Sequence, residues 1–230
     1  MLTTALVAAA FVTGIAGTWS PCGFSMIETI NGPRRRVWLC CMTFALGAFA
    51  GGTATFGTLG LLGGFAGARG LVLIPVFGVA AAIADVRGLP IVPQIRRQVP
   101  EHWRRVLPLP VATLLYGVLL GLGFTTFVYA VALWALAGIA LFVASPQTGA
   151  LVGFAFGAGR ALPICVLAPV AHCRVGRSVV DAMTQRPNVL SVVRRLAAAC
   201  LVVVARFPDT PRPTRVRRQR SDEAIDERHS

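Results

Sequence analysis

The sequence predicts an all-α integral membrane protein, a polytopic helical bundle of about six transmembrane helices. Three observations carry that prediction. Only 13% of the 230 residues are charged and 55% are hydrophobic, with a mean hydropathy of +0.70. A soluble domain carries about 25% charged residues. Charge is also missing from long runs: nothing before Glu28, nothing between Arg36 and Arg69, and nothing between Arg105 and Arg160 is charged. Each run exceeds the roughly 20 apolar residues a spanning helix needs. The third observation is where the basic residues fall, in the short stretches between apolar runs.

Six apolar segments follow in order: Leu2–Ile30, Val37–Ala66, Gly70–Ala84, Val106–Ala144, Gly149–Ala171 and Val189–Ala205. The first begins without the basic region of a signal peptide and continues past a Pro-Cys pair, so residues 1–17 read as half of a retained helix. Asn31-Gly32-Pro33 ends it, a turn signal. The second segment lies between Arg34–Arg36 and Gly67–Gly70 and holds Gly47-Ala-Phe-Ala-Gly51, a small-xxx-small pattern for close helix packing. The third ends at Asp85 and the Pro- and Arg-rich stretch Arg87–Arg105. The fourth is too long for one straight span, and the fifth starts after Ser145-Pro146, another helix boundary. In the sixth, Arg194 and Arg195 interrupt, and the ten residues between Arg195 and Arg206 reach only about 15 Å. That segment either snorkels its arginines and spans, or lies along the interface. Residues 1–205 thus form the transmembrane domain. Residues 206–230 form a basic tail with almost nothing apolar, expected to be disordered.

The formal charge of +13 comes from 22 basic residues, every one an arginine. With the amino terminus outside, eleven of the loop arginines fall on the cytoplasmic side and Arg69 alone on the outer side. The positive-inside rule therefore places the chain in the cytoplasmic (inner) membrane with its N-terminus out. The lipid bilayer is the partner this charge implies, and nucleic acid is not. The three His lie in loops or the tail and no Cys-X-X-Cys occurs, so no metal site and no cofactor is predicted.

Segments one and four share a feature. Gly17-Thr-Trp-Ser-Pro-Cys-Gly23 breaks the first and Tyr116–Thr126 breaks the fourth, and aligning Gly17 with Gly121 sets Cys22 opposite Thr126. Interrupted segments at corresponding positions of two three-helix halves are the mark of an inverted repeat with a site at mid-depth. Splitting Val106–Ala144 into a hairpin gives a seven-span alternative.

Ser20-Pro21-Cys22 in a broken first helix resembles the CcdA family and the membrane domain of DsbD, and Gly159-Arg-Ala-Leu-Pro163 is similar to a Gly-X-X-Leu-Pro turn in a later helix of that family. Methylamine-utilisation membrane proteins are similar in scaffold. The CcdA/DsbD resemblance implies transfer of reducing equivalents across the membrane by thiol-disulfide exchange, in the service of cytochrome c biogenesis, with a thioredoxin-like or other extracytoplasmic partner. It assigns Cys22 as the redox thiol. The family's second Pro is absent here, and its second intramembrane Cys is replaced by Thr125-Thr126, which leaves Cys165 or a Cys on another protein as partner. The missing Cys keeps two other functions open. One is a small-solute permease whose cavity is lined by Ser20, Pro21, Thr125, Thr126 and Arg160; the other is a noncatalytic membrane assembly partner. Arg160 is the most expensive residue in the chain, eleven residues into its span, where a charge costs about 2.5–3.5 kcal/mol. Glu28, or else Asp85, is its expected counter-ion.

Topology is tested with Gln98→Cys and Gln147→Cys on a cysteine-free background. An impermeant maleimide on whole cells is expected to label position 147 and spare 98; the reverse pattern overturns N-out.

Overall fold

The computed structural model describes residues 2–18, 21–30, 32–65, 106–123 and 131–171, with Val76, Val79, Ala80, Ile83, Ala84, Arg87, Val192, Arg195, Leu196, Ala199, Cys200 and Val202 as further helical positions; the side chains of Pro21, Cys22, Phe24, Glu28 and Val131 fall outside the description. Among the described residues the regular secondary structure is helical, with no strand. In chain order the helices are α1 Leu2–Thr18, α2 Pro21–Thr29, α3 Arg34–Phe65, α4 Leu109–Leu122, α5 Val131–Val143 and α6 Pro146–Leu167. Two of them, α3 and α6, are long and apolar enough to cross a membrane; α1, α4 and α5 are shorter apolar helices. The 32 residues of α3 extend about 48 Å.

Small residues mark the faces by which α3 and α6 meet their neighbours. Along α3 the buried positions include Gly47, Ala48, Gly51, Gly52, Gly60 and Gly63, while Leu39, Met42, Leu46, Leu61, Leu62 and Phe65 are exposed. α6 repeats the pattern, with Gly149, Gly153, Gly157 and Gly159 inside and Leu151, Phe154, Leu162 and Val166 outside. The glycines let backbones touch. A Cβ on Gly52 would strike the Gly153 carbonyl, and one on Gly153 would strike that of Gly52; Gly149 stands in the same way against Phe56, and Gly157 against Ala48. On the opposite flank, Gly47 and Gly51 meet the α4 carbonyls of Leu114 and Val118, and Gly117 and Gly121 of α4 meet those of Phe44 and Ala48. Small residues that let helices approach this closely are how bundles cohere in lipid, where expelling water contributes nothing between helices.

Polar groups are absorbed locally. The hydroxyls of Thr13 and Thr55 donate to the carbonyls four residues back at 2.7 and 2.9 Å, and Thr43 pairs with Thr113 of α4 at 2.7 Å. Ser145 caps α6, its hydroxyl accepting from the Thr148 N–H at 3.4 Å.

Two buried clusters lie one above the other along the bundle. The first joins Leu2 and Leu6 of α1 to Phe56 of α3, Leu133, Leu136 and Ile139 of α5, and Val152 and Phe156 of α6. The second joins Met26 and Ile27 of α2 to Val37 and Phe44 of α3, Tyr116 and Leu120 of α4, and Ala161 and Ile164 of α6. α1 therefore belongs to one level and α2 to the other, while α4 and α5 cross the same two levels in the opposite sense. The long fourth segment is thus two helices at different heights, not a side-by-side hairpin. The expected Gly-X-X-Leu-Pro turn is corrected: α6 runs continuously through Pro163, which removes one donor without ending the helix. The third and sixth segments are described only at isolated positions, and the tail from 206 lies outside the described residues.

The glycine seam predicts a sharp positional contrast. Gly153→Ala drives a methyl into the Gly52 backbone and is expected to cost roughly 1–3 kcal/mol. Gly57→Ala, whose Cβ has nothing nearer than 3.9 Å, is expected to be neutral or to stabilise by up to about 1 kcal/mol. Thermal unfolding in detergent reads both, and equal midpoints would rule out the seam as the source of stability.

Candidate functional site

The two chain breaks meet at one turn of α6. α1 stops at Thr18 and α2 starts at Pro21; α4 stops at Leu122 and α5 starts at Val131. At the end of α4, Gly123 takes φ 76°, a left-handed conformation that glycine adopts without a steric cost, and its N–H donates to the Leu120 carbonyl at 3.2 Å. A Cβ there would sit 3.3 Å from the Phe156 ring and 3.2 Å from Leu133 of α5. At the end of α1, a Cβ on Gly17 would fall 2.6 Å from Nη2 and 2.7 Å from Cζ of Arg160. Phe156 and Arg160 are four residues apart, successive positions on one face of α6.

Among the described residues Arg160 is the largest fully buried side chain, 1% exposed, with Nε and Nη1 shut off from the surface. Its guanidinium carbon stands 5.3 Å from the centroid of the Phe156 ring, within cation–π range. Around it α1 and α6 are in backbone contact: Gly14 abuts the Phe156 carbonyl and Gly159 abuts that of Phe11. The Thr18 hydroxyl lies 3.3 Å from the Gly14 carbonyl and 3.4 Å from the Arg160 carbonyl, so it donates across the helix pair at the point where α1 ends. The arrangement places a permanent positive charge, screened from water by aromatic and backbone surface, between the two clusters.

Arg160 is buried among the described residues. Sequence reasoning does not find Gly17, Thr18 and Phe156 as its neighbours, nor Gly123 as a neighbour of Phe156, although the four-residue spacing of Phe156 and Arg160 and the Gly14/Gly17 pair are visible in the sequence. Of the other candidates, Ser20, Thr125, Thr126 and Asp85 lie outside the described residues, as do the side chains of Pro21, Cys22 and Glu28. Neither the Arg160–Glu28 pair nor a Cys22–Cys165 pair is therefore described. Cys165 has its Sγ 3.5 Å from the Cys41 carbonyl, on the α3–α6 face. Cys40 and Cys41 are both buried. Among the described residues, no three His, Cys, Asp or Glu side chains are grouped as a metal site would require.

Fold and site together define a class: a glycine-packed helical bundle in which two interrupted segments end against one turn of α6, one at Arg160 and one at Phe156. Known proteins supply the particular setting. The chain is 34% identical over 181 residues to the methylamine utilization protein MauF of Paracoccus versutus, covering 73% of this chain and 66% of that protein. It is 33% identical to MauF of Paracoccus denitrificans, covering 74% of this chain and 66% of that protein. It is 31% identical to MauF of Methylophilus methylotrophus, covering 72% and 62% respectively. The chain thus spans just under two thirds of the length of these relatives. No family model matches it, and no solved structure matches it.

These relatives correct the functional expectations drawn from Ser20-Pro21-Cys22. The similarity runs to proteins named for methylamine utilization, not to the CcdA and DsbD family, and thiol-disulfide transfer for cytochrome c biogenesis is withdrawn with that resemblance. The permease and assembly-partner alternatives find no support in the same relatives. The physical reason for the misreading is that a Pro-Cys break is chiefly a backbone feature. Pro21 opens α2 whatever the thiol beside it does.

A double-mutant cycle tests the Gly17–Arg160 contact. Gly17→Ala is expected to destabilise the protein by about 1–3 kcal/mol. In an Arg160→Met background that loss should shrink by at least about 0.5 kcal/mol, because the group it collides with has changed. Strict additivity would mean the two residues do not touch.

Proposed function

We propose that this chain is a methylamine utilization protein of the MauF kind, acting as a membrane-embedded helical bundle with its N-terminus outside the cytoplasmic membrane. One observation carries the reading of its role. Five curated relatives, 30–34% identical to it, all bear that one name, and each alignment takes in at least 70% of this chain.

The membrane setting rests on the direction of the side chains. Leu39, Leu46, Leu61, Leu62, Phe65, Leu151, Phe154 and Val166 point outward, a band of large apolar side chains on the outside of α3 and α6. In water that band would leave the large apolar groups wet, against what folding favours. In lipid it is accommodated, and the glycine contacts inside let the helices approach.

A count of about six spans in two inverted halves is supported by the broken segments, since α1–α2 and α4–α5 traverse the same two clusters in opposite directions. The ends of the bundle agree with the charge asymmetry. Leu2 of α1 and Val143 of α5 belong to one cluster, and Val37, next to Arg34–Arg36, belongs to the other. The mid-level turn holding Phe156 and Arg160, where both breaks converge, is the working site in this reading. There Arg160 is buried with its guanidinium against the Phe156 ring.

Deleting the gene from a host that grows on methylamine tests the role. Growth on methylamine is expected to fail while growth on ammonium with a multicarbon substrate continues, and the wild-type gene in trans should restore it. Undiminished growth of the deletion strain on methylamine would sink the proposal.

A further inference from the structure

We infer that the α2–α3 turn, together with the end of α6, forms a binding site for the headgroup of an anionic glycerophospholipid. The inference rests on the membrane reading above and adds a ligand to it. A cleft of about 410 Å³ opens at this corner, lined by Gly32, Arg34, Val37, Trp38 and Pro169. Arg34 and Trp38 are four residues apart, so they stand on one face of α3, and both are exposed. None of the described residues lining the cleft is acidic.

The chemistry selects a phosphodiester. A guanidinium offers a planar fork of donors that matches two phosphate oxygens, and it keeps its charge at any physiological pH. An indole beside it belongs at headgroup depth, its ring toward the acyl region and its N–H toward polar groups. Arg35 and Arg36 are exposed next to the cleft and raise the local positive potential.

The surface below the cleft selects a lipid over a soluble phosphate ester. Trp38, Met42 and Leu46 follow one another at four-residue spacing down α3 and are 49, 57 and 61% exposed. They form an apolar track that starts at the cleft and runs toward mid-bundle, where an acyl chain attached to the bound headgroup would lie. A free phosphate ester would have no use for that track. Because Pro169 follows the end of α6, a lipid seated here would touch both long helices of the glycine seam at once.

The test uses the full-length protein purified in a neutral detergent and offered phosphatidylglycerol and phosphatidylcholine with identical acyl chains, bound lipid being counted by native mass spectrometry. The wild type should retain phosphatidylglycerol in preference to phosphatidylcholine. Arg34→Gln should reduce that retention about fivefold, the worth of one basic residue at a membrane surface. Arg87→Gln, an exposed arginine elsewhere, should leave it unchanged. Arg34→Lys, which keeps the charge and loses the fork, should fall between, and size-exclusion profiles matching the wild type show that each variant is folded.

Equal retention of the two lipids by the wild type, or full retention by folded Arg34→Gln, overturns the site. Displacement of phosphatidylglycerol by an equal concentration of glycerol 3-phosphate also overturns it, in favour of a soluble ester. A carbonate wash of cell membranes separates the two readings. Release of the chain would defeat the membrane reading itself, and retention of the chain without a lipid preference would defeat only the headgroup site.

Discussion

The backbone contact between Gly52 of α3 and Gly153 of α6 sets the spacing on which the remaining packing depends, because each residue would drive a Cβ into the other's carbonyl. In lipid there is no expelled water to pull helices together, so attraction comes from dispersion and requires close approach. Gly47, Gly51, Gly117 and Gly121 repeat the same solution on the α4 side, which makes α3 a shared mast for both neighbours. Large apolar residues such as Leu46, Leu62, Leu151 and Phe154 lie on the outside of the same two helices, the arrangement that the proposed membrane setting would accommodate. One constraint therefore accounts for the interior and the exterior of the bundle together.

Arg160 becomes tolerable within that frame. A charged side chain at depth is expensive unless the surroundings supply compensating contacts. Its cationic plane stands over Phe156 at 5.3 Å, and the absence of a side chain on Gly17 leaves it room. The same absence lets α1 approach α6 closely enough for Thr18 to donate to the Arg160 carbonyl. Removing bulk from one face of α1 thus serves packing and charge accommodation together. The chain breaks gain a meaning from this: both interrupted segments stop where α6 presents its aromatic ring and its charge.

Much of this architecture was legible before any coordinates. α3 follows the second apolar segment closely, and the Ser145-Pro146 boundary falls at the cap of α6. Arg160 was picked out by depth alone, because a lone charge in a long apolar run has few explanations. The Gly47–Gly51 spacing announced a packing face, and α4 occupies it. The more regular series Gly149, Gly153 and Gly157 carries no such signal by itself, since glycine is common in this chain and spacing alone does not say which helix will meet it. Partner choice is a tertiary property. Gly17 and Gly123 were legible as breakers but not as neighbours of Phe156 and Arg160, for their proximity depends on how two halves of the chain dock. The Ser20-Pro21-Cys22 reading failed for another reason. A three-residue motif at a helix break describes the backbone well and the chemistry poorly, and similarity over most of the chain outweighs it.

The geometry also limits how such a bundle can act. Backbones that touch at Gly52–Gly153, Phe56–Gly149 and Ala48–Gly157 cannot slide past one another without forcing a carbonyl into the next side chain. Close-packed interfaces of this kind resist continuous deformation. α3 and α6 therefore form a rigid pair, and a change in the bundle must be expressed by the half-helices that end against it. Thr18 and Gly123 are the last described residues before the two breaks, and each sits against the same turn of α6. A shift of the α1 end would be felt at Arg160, because a Cβ on Gly17 would already fall 2.6 Å from Nη2, and a shift of the α4 end would be felt at the Phe156 ring, 3.3 Å from a Cβ on Gly123. The fold thus brings the ends of two interrupted segments against one turn of α6, Thr18 at Arg160 and Gly123 at Phe156.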